Sequence, residues 1–491
     1  MKKLAIIFLI IIGSILSITA SYSYWAQQID TSQLAQNTNI EQEIGNWATF
    51  NKLKYQEING KSYHSVSSYY NYNVAIGKEG QLYAWGYGLG GQLGISPASN
   101  LNTPTEVAFF KDKKIVSVKA GYRHVLALTD QGELYAWGNN EQGALGLGSV
   151  SAPMYPLPRE VLYFKTNNIK IVSIEAGNNS SYAITDKGEV YSWGYNIYYK
   201  LGQANLTSYS TPTKIDFFSS NNIKIKDIKT QFEGAIALTD QGDLYAWGYS
   251  ANGELGIGAI NYLDTPRLIV FPESIIIKSY TLGMYHAMVL TSEDKVYVWG
   301  YNAQGQLGLG DLTRRTTPVI NQGLTNLGAK NIFAGVYSSS AMITKDNKIY
   351  TWGNNSSHKI GYDRPAINPN PQILNDIPRD IEYVNIALGT EHTIIEDKHG
   401  SLYALGLNTY GQLGIGTNTS TNKVEQINLL SWISIKEEML PIGYKFNLYE
   451  YEKIGYKFLG WYLDKNYQEK FESNSVMTES INNVYAKWIK I

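Results

Sequence analysis

Apolar and polar residues alternate along the middle of this chain in short stretches that recur as sets of three. In residues 114–148 the stretches cover 115–119, 124–129 and 133–137, and a turn separates each from the next. Alternation with a period of two predicts half-buried β-strands. The Thr-Pro segments that link the sets, such as residues 103–107 and 211–215, predict a fourth strand, because proline is tolerated where a strand begins or at a sheet edge. Each set therefore predicts a four-stranded antiparallel sheet.

One signature marks every set, namely an aromatic residue followed by glycine. Six tryptophans carry it, and Leu405 with Gly406 takes the same place in a seventh copy. The tryptophans are Trp85, Trp137, Trp193, Trp247, Trp299 and Trp352. Successive copies are 52, 56, 54, 52, 53 and 53 residues apart. A strand-rich unit with a period near fifty predicts a β-propeller or a similar array, in which each unit buries its apolar face against its neighbours.

A tight turn precedes the third strand of each copy. The residue three positions ahead of the tyrosine in that strand is always of a type that adopts positive φ easily, which predicts a hairpin there. These residues are Gly80, Gly132, Gly188, Gly242, Asp294, Asn347 and Gly400. The Thr-Asp-x-Gly turns at Asp130, Asp186 and Asp240 each supply one carboxylate where a calcium loop needs several. We expect these aspartates to cap turns and expect no metal site.

The recurring tryptophans and histidines can be explained by packing alone. One large aromatic residue per copy is expected in the core between units rather than as a platform for a ligand. His124, His286 and His392 share one repeat position, and equivalent positions in a propeller are spread around a ring. We therefore expect local hydrogen bonds from these histidines and not a shared tri-histidine metal site.

Composition narrows the classes of function. The chain has 491 residues, 41 basic and 42 acidic residues and a formal net charge of -1, so it has no electrostatic footprint for nucleic acid. It has no cysteine, which excludes disulfides, thiolate chemistry and zinc–cysteine sites. We expect no cofactor, because no glycine-rich phosphate-binding motif follows a strand into a helix.

The N-terminus has the pattern of an export signal. Lys2 and Lys3 precede an apolar run, and small residues end it near Ala20. Residues 1–20 are predicted to be a signal peptide cleaved after Ala20 or a retained membrane anchor formed by residues 4–20, and both alternatives place the rest of the chain outside the cytoplasm. Residues 21–46 are rich in Gln, Ser, Thr and Asn and are predicted to be a flexible spacer.

Residues 120–148, AGYRHVLALTDQGELYAWGNNEQGALGLG, closely resemble the regulator of chromosome condensation repeat. The resemblance extends over seven copies and implies an all-β, seven-bladed β-propeller over residues 47–430. We expect residues 423–429 or 47–50 to close the ring by completing a blade with strands from the other end. The founding member of that family is a nucleotide exchange factor for a nuclear GTPase, a role that an exported chain is not expected to have. The resemblance implies that one face of the disc binds another protein.

Residues 434–491 have a different character. The stretch GYKFLGWYLDKNYQEKF and the later VYAKW resemble the Listeria-Bacteroides repeat, also called the internalin B-repeat. The resemblance implies a small β-grasp-like module of the kind found in surface proteins. A small β domain that only decorates the propeller is the alternative.

Departures from the repeat indicate where a site could lie. The loop after each tryptophan has glycine six residues on, at Gly91, Gly143, Gly253, Gly305 and, after Leu405, Gly411. The third and sixth copies have Tyr199 and His358 there. A bulky residue at positive φ costs about 1–3 kcal/mol, so we expect these two loops to be remodelled.

The third loop also contains Tyr195 and Tyr198, and exposed aromatic clusters of this kind form interface hot spots. The pair Arg314 and Arg315 is a second candidate contact. The candidate partner-binding residues are therefore Tyr195, Tyr198, Tyr199, Arg314, Arg315 and His358. Repeat drift without function, and a solvated loop for the arginines, are the alternatives.

The sequence favours an exported, cell-envelope protein-interaction scaffold. A structural component of a surface layer or coat is the alternative. An extracellular glycosidase or lyase is disfavoured because acidic residues are scattered in turns, whereas such enzymes need clustered carboxylates, arginines or histidines. We therefore expect no enzymatic activity and no catalytic residues.

Overall fold

The computed structural model describes residues 47–53, 63–230, 232–258, 261–361, 364–379, 381–427, 435–441, 456–462, 470–471 and 485–490. The chain divides into two compact units, residues 57–432 and residues 1–56 with 433–491. The larger unit contains seven four-stranded antiparallel sheets, and in each sheet the strands lie in chain order. It is a seven-bladed β-propeller, as the sequence predicted.

We number the blades in chain order, and each is one uninterrupted stretch of chain. Blade 1 contains Tyr63–Tyr69, Tyr72–Gly77, Leu82–Gly86 and Leu101–Glu106. Blade 2 contains Ile115–Ala120, His124–Thr129, Leu134–Asn139 and Met154–Glu160. Blade 3 contains Ile171–Ala176, Ser180–Thr185, Val190–Gly194 and Tyr209–Lys214. Blade 4 contains Ile225–Thr230, Gly234–Thr239, Leu244–Tyr249 and Tyr262–Leu268.

The remaining blades have the same plan. Blade 5 contains Ile277–Leu282, His286–Thr291, Val296–Gly300 and Arg315–Ile320. Blade 6 contains Ala329–Ala334, Ser339–Thr344, Ile349–Asn354 and Ile367–Ile373. Blade 7 contains Tyr383–Leu388, His392–Asp397, Leu402–Gly406 and Thr421–Gln426. First strands of neighbouring blades contact one another, so the first strand of each blade lies nearest the centre of the ring.

Short helical segments follow the fourth strand in four blades, and the sequence analysis did not predict them. They are Ala108–Phe110, Leu162–Thr166, Asp216–Ser220 and Gln322–Asn326. Each buries one apolar side chain against the blades, and these are Phe110, Phe164, Phe218 and Leu324.

The six tryptophans form the contacts between blades. All six are fully buried, which confirms the core assignment. Each indole Nε1 donates to a backbone carbonyl in the preceding blade, at 2.8 to 3.1 Å. The acceptors are Gln412, Gln92, Ala144, Lys200, Glu254 and Gln306. At six of the seven interfaces, a tryptophan therefore supplies both apolar burial and a hydrogen bond to a backbone carbonyl of the preceding blade.

Two glycines of the repeat are required by close approach. At Gly138, directly after Trp137, a Cβ atom would lie 2.4 Å from the Arg123 carbonyl oxygen. At Gly146, a Cβ atom would lie 2.7 Å from Nε1 of Trp193 in the next blade. Both glycines also have positive φ. The repeat therefore keeps glycine where the backbone contacts an indole or a neighbouring loop.

The predicted hairpin turns are confirmed. All seven predicted residues have φ between 62° and 96°. The capping group, however, was assigned wrongly. The Thr129 hydroxyl accepts the Glu133 N–H at 3.1 Å, and Thr239 accepts Asp243 N–H at 3.0 Å, so threonine rather than the following aspartate caps these turns.

The ring closes without exchanging strands, which corrects the expected closure. The strand Thr421–Gln426 pairs with Leu402–Gly406 of its own copy. Residues 47–50 belong to the strand Trp47–Leu53, which groups with the other unit and not with the propeller. The interface between blades 7 and 1 instead uses the bond from Trp85 to Gln412 that the other interfaces use in equivalent form.

In the smaller unit, Trp47–Leu53 pairs antiparallel with Ile435–Pro441. A three-stranded antiparallel sheet places Tyr456–Tyr462 between Lys470–Phe471 and Tyr485–Lys490. The predicted signal or anchor at 1–20 and the spacer at 21–46 lie outside the described residues. Within the described ranges, none of the helices is both long and apolar enough to cross a membrane.

Candidate functional site

The antiparallel order of each blade places two sets of loops at one end of the propeller. The loops that join first to second strands and third to fourth strands share this face. A backbone bond from Tyr249 N to Glu233 O at 2.8 Å ties the two loops of blade 4 together, and the other blades have equivalent bonds. We call this end the tyrosine face, because four copies have tyrosine directly after the Trp-Gly pair. These residues are Tyr87, Tyr195, Tyr249 and Tyr301.

A cleft of about 480 Å³ opens on the tyrosine face and is lined by loops of blades 3 to 6. We call it the tyrosine cleft, and its aromatic lining consists of Tyr198, Phe232, Tyr249, Tyr285, Tyr301 and Tyr337. Asn252, Gln304, Ser338 and Glu233 complete the lining. Its volume lies within the range of small-ligand and side-chain pockets. Among the aromatics, Tyr198 and Tyr337 are 40% and 41% exposed and stand at the surface.

Ring-to-ring contacts hold five of the six aromatic side chains of the cleft in place. The ring centroids of Tyr198 and Tyr249 are 5.0 Å apart. Tyr285 lies 5.9 Å from Phe232 on one side and 5.9 Å from Tyr301 on the other, in edge-to-face arrangements. Such pairs restrict the rings before any partner arrives, which lowers the entropy lost on binding.

The structure separates the three predicted tyrosines of the third loop. Tyr198 lines the cleft. The Tyr195 ring instead lies 5.1 Å from the Lys200 ammonium. Tyr199 is half-buried, and its ring stacks 5.4 Å from that of Tyr262 on the fourth strand of blade 4. Of these three, Tyr198 is the residue placed to contact a partner in the cleft.

The third and sixth loops are altered beside the glycine position, where Tyr198 has φ of 59° and Gly361 has φ of 135° against 65° to 74° for the equivalent glycines, but the glycine position itself keeps its conformation. Tyr199 has φ of 62° and His358 has φ of 57°, close to the 75° to 82° of the glycines in the other copies. Gly361 N bonds to His358 O at 3.2 Å, as Gly146 N bonds to Gly143 O at 3.1 Å. The bond from the following glycine N–H, which Gly202 N also makes to Tyr199 O at 2.9 Å, and the buried residues after it hold the backbone at positive φ despite the side chain.

The other candidates lie on or near the same face but do not line the cleft. Arg315 Nη2 forms an ion pair with Asp311 Oδ2 at 2.7 Å, so this arginine is used within its own loop. Arg314 is exposed and donates Nη1 to the Ala251 carbonyl of blade 4 at 3.2 Å. His358 is exposed in the blade 6 loop.

Sequence reasoning missed two buried lysines that directly follow the exceptional residues. Lys200 follows Tyr199, and Lys359 follows His358. Three other copies have glutamine at this repeat position. Lys200 Nζ lies 2.6 Å from Glu233 Oε2 and 2.6 Å from Asn178 O, so it links blades 3 and 4. Burial lowers the pKa of Lys200 and raises that of Glu233, and their direct contact opposes both shifts.

Lys359 plays a related part between blades 6 and 7. Its Nζ atom donates to Tyr337 O at 2.9 Å and to Thr390 O, and it lies 5.4 Å from the Tyr337 ring. Burial lowers the pKa of Lys359 to about 7. This interface has Leu405 where the others have an indole, so the lysine supplies a polar link between blades that leucine cannot supply.

The three histidines also link neighbouring blades through hydrogen bonds, which agrees with the local hydrogen-bonding role expected from the sequence. All three are fully buried. His124 Nε2 lies 2.9 Å from Ser181 Oγ, His286 Nε2 lies 2.7 Å from Ser340 Oγ, and His392 Nε2 lies 2.8 Å from Asn73 Oδ1. Burial lowers the pKa of each to about 3. Across the part of the chain that the structure describes, no group of three His, Asp or Glu residues is arranged to hold a metal ion.

The structure is a seven-bladed propeller with an aromatic cleft on one face. A model of the RCC1-like domain matches residues 24–335, and a model of the regulator of chromosome condensation (RCC1) repeat matches residues 399–435. The chain belongs to the RCC1-like family. Neither match extends beyond residue 435, so the resemblance of residues 434–491 to the Listeria-Bacteroides repeat stays a prediction.

Two curated relatives illustrate the range of this family. The ultraviolet-B receptor UVR8 of Arabidopsis thaliana is 31% identical over 367 residues, which cover 74% of this chain and 82% of that protein. The human E3 ubiquitin-protein ligase HERC2 is 29% identical over 75% of this chain but only 7% of its own length, so its ligase name describes a far larger protein.

Solved structures share the fold. Yeast RCC1 (Prp20), solved bound to Kap60, superposes with a TM-score of 0.63 at 23% identity and covers 78% of this chain and 88% of its own. Human WBSCR16 has a TM-score of 0.63 at 18% identity and covers 71% and 95%.

Proposed function

We propose that this protein is an exported cell-envelope scaffold that captures another protein on the tyrosine face of its propeller. The single observation that carries the proposal is the tyrosine cleft, a preformed, aromatic, partly exposed depression. Tyrosine supplies a large contact area with few rotatable bonds, so it is one of the residue types enriched in binding hot spots. No catalytic activity is included in the proposal.

Related propellers support a protein partner. Prp20 has been solved in complex with Kap60, and Prp20p from Saccharomyces cerevisiae is described with binding properties to Gsp1p and histones. These partners belong to those proteins and are not assigned to this chain. The shared fold supports the mode, in which a rigid disc presents loops to another macromolecule.

Location outside the cytoplasm is the second part of the proposal. It rests on Lys2, Lys3 and the apolar run that ends near Ala20. An epitope placed at the C-terminus should be accessible to protease added to intact cells. Fractionation would then separate a retained anchor from a cleaved signal, and protection of the epitope would contradict export.

Partner capture is tested by removing the two most exposed rings of the cleft. The double variant Tyr198→Ala with Tyr337→Ala should lose specific partners from envelope extracts while keeping the melting temperature of the wild-type protein. The matched control is Phe109→Ala, because Phe109 is 45% exposed and follows the fourth strand of blade 1, at the opposite end of the disc. Equal capture by the double variant and the wild type would remove the cleft from the proposal. Self-assembly of the purified protein on size exclusion, with no captured partner, would favour a coat component instead.

A further inference from the structure

One buried carboxylate beside the tyrosine cleft has no cation. Glu254 is 5% exposed and follows Gly253 in the loop between the third and fourth strands of blade 4. Among the described residues, no lysine or arginine lies within ion-pair distance of it, whereas Glu233 in the same blade is paired with Lys200. A buried carboxylate is rarely left without a compensating charge.

The fold itself does not require a charge at this position. Glu254 Oε2 accepts a hydrogen bond from Asn252 N at 2.6 Å. Gln306 and Gln412 occupy the same repeat position and accept the equivalent bonds from Gln304 N and Tyr410 N through Oε1. Glutamine therefore satisfies the loop in other copies, and the negative charge of Glu254 is additional to that structural role.

The carboxylate lies against the cleft. A small void of about 10 Å³ is lined by Glu254 and Met284 together with Phe232, Glu233 and Tyr249, which also line the cleft. Burial raises the pKa of Tyr249 and of Tyr285, and the negative charge of Glu254 adds to the rise in both. Ionised Glu254 therefore acts electrostatically on these two rings. Burial raises the pKa of Glu254 itself, and hydrogen bonds from Asn252 and the charge of Arg314 oppose that rise.

Aromatic rings and a buried carboxylate together favour a cation. The faces of tyrosine and phenylalanine rings carry negative potential, which attracts ammonium and guanidinium groups. The chain uses this arrangement internally, because the Lys200 ammonium lies 5.1 Å from the Tyr195 ring and 2.6 Å from Glu233. Charge complementarity thus indicates that a cationic group occupies the cleft beside Glu254.

We infer that the tyrosine cleft receives a basic side chain, a lysine, a methylated lysine or an arginine, from the partner protein, with Glu254 as its counter-charge. This inference rests on the proposed capture function and specifies that the captured partner presents a basic side chain. Tyr249 and Tyr285 flank the bound cation. Arg314, whose charge acts on Glu254 and which is exposed nearby, opposes the incoming cation.

The test uses the full chain and four short peptides of one sequence, with lysine, trimethyl-lysine, arginine or citrulline at the central position. We expect the cationic peptides to bind at least tenfold more tightly than the uncharged citrulline peptide in calorimetry. Glu254→Gln should remove roughly that tenfold difference, because it removes the negative charge that attracts the cation. Glutamine keeps the bond to Asn252 N, so the loop should keep its structure. Arg314→Ala should strengthen cationic binding, and it provides a second readout of opposite sign if Glu254→Gln alters folding.

Equal affinity for the citrulline and the cationic peptides would overturn the inference, as would unchanged discrimination in Glu254→Gln with a wild-type melting temperature. Tetramethylammonium binding that no peptide improves on would identify a small-molecule cation and contradict a protein side chain. The outcomes are separable from the capture function, because loss of partners in the Tyr198 and Tyr337 double variant can occur whether or not peptide charge matters.

Discussion

Thr393 Oγ1 donates to the Lys359 carbonyl at 2.7 Å, in the interface where Leu405 replaces tryptophan. In the six other interfaces, the equivalent carbonyl accepts an indole N–H. The threonine therefore satisfies the carbonyl that the seventh copy would otherwise leave buried and unbonded. Ser181 and Ser340 occupy the same repeat position and make this bond in interfaces that also keep their indole, so the Lys359 carbonyl retains the hydroxyl bond when the indole is absent.

The same exchange should be reproducible at another interface. Trp299→Leu should lower the free energy of unfolding by roughly 2–4 kcal/mol, because it opens a cavity and leaves the Glu254 carbonyl without its indole partner. Adding Ala287→Thr places a hydroxyl at the position equivalent to Thr393 and should recover about 1 kcal/mol. Urea denaturation of the three proteins measures both effects. A double variant no more stable than Trp299→Leu would show that the hydroxyl does not replace the indole.

The Lys200–Glu233 pair should show strong coupling. Lys200→Gln should cost about 3–5 kcal/mol, since it leaves the buried Glu233 carboxylate without a cation. Lys200→Gln with Glu233→Gln should recover most of that loss, because both polar groups then become neutral amides. A double-mutant cycle from urea denaturation gives the coupling directly. Additive effects of the two single changes would contradict a shared ion pair.

His358 should be less stable in its place than glycine. His358→Gly removes a side chain at φ of 57° and should raise the free energy of unfolding by up to about 1 kcal/mol. The reverse comparison is Gly305→Ala, where a Cβ atom would lie 2.4 Å from Pro369 Cα and should destabilise the fold. Thermal and urea denaturation check both variants. A loss of stability in His358→Gly would mean that the imidazole makes a favourable contact greater than the backbone strain.

The buried histidines should make the propeller sensitive to acid. Burial holds the pKa of His286 at about 3, below its ordinary value of 6.5. The unfolded chain therefore binds the proton first, and the stability that neutral His286 contributes is complete above pH 6.5 and is lost as the pH falls toward 3. The slope per histidine is about 1.4 kcal/mol per pH unit.

His286→Ser tests this dependence, because blade 6 has Ser339 at the same position. The variant should show a shallower fall of unfolding free energy between pH 6 and pH 4, by about one proton. Urea denaturation across that range gives the slope. Parallel curves for variant and wild type would show that His286 does not titrate on unfolding.

The sequence predicted the features that depend on the residue type at one position of the repeat. The turn positions, including Asp294 and Asn347, were predicted because residue type reports local φ directly. The buried tryptophans were predicted because one large aromatic residue recurs in each copy, as expected for a residue that packs between blades. Each prediction rested on the residues at one repeat position in all seven copies, so it did not depend on a single copy.

Features that depend on two copies at once were missed or were wrong. Lys200 and Glu233 are 33 residues apart, and their pairing appears only when loops of neighbouring blades are placed side by side. His358 keeps the positive φ of the glycines in other copies because hydrogen bonds from surrounding residues outweigh the local preference. The closure of the ring was wrong for the same reason, because pattern alone does not show which strands pair across the ends of a repeat array.

Because every blade is encoded by one continuous stretch and all seven interfaces are built from neighbouring loops, the propeller has no privileged first blade. The bond from Trp85 to Gln412 joins the ends of the array in the same way that internal blades are joined. A circularly permuted chain that begins at blade 4 and ends with blade 3 would carry every interface of the natural order. The chain could therefore begin at any blade, provided that each blade keeps the same two neighbours around the ring.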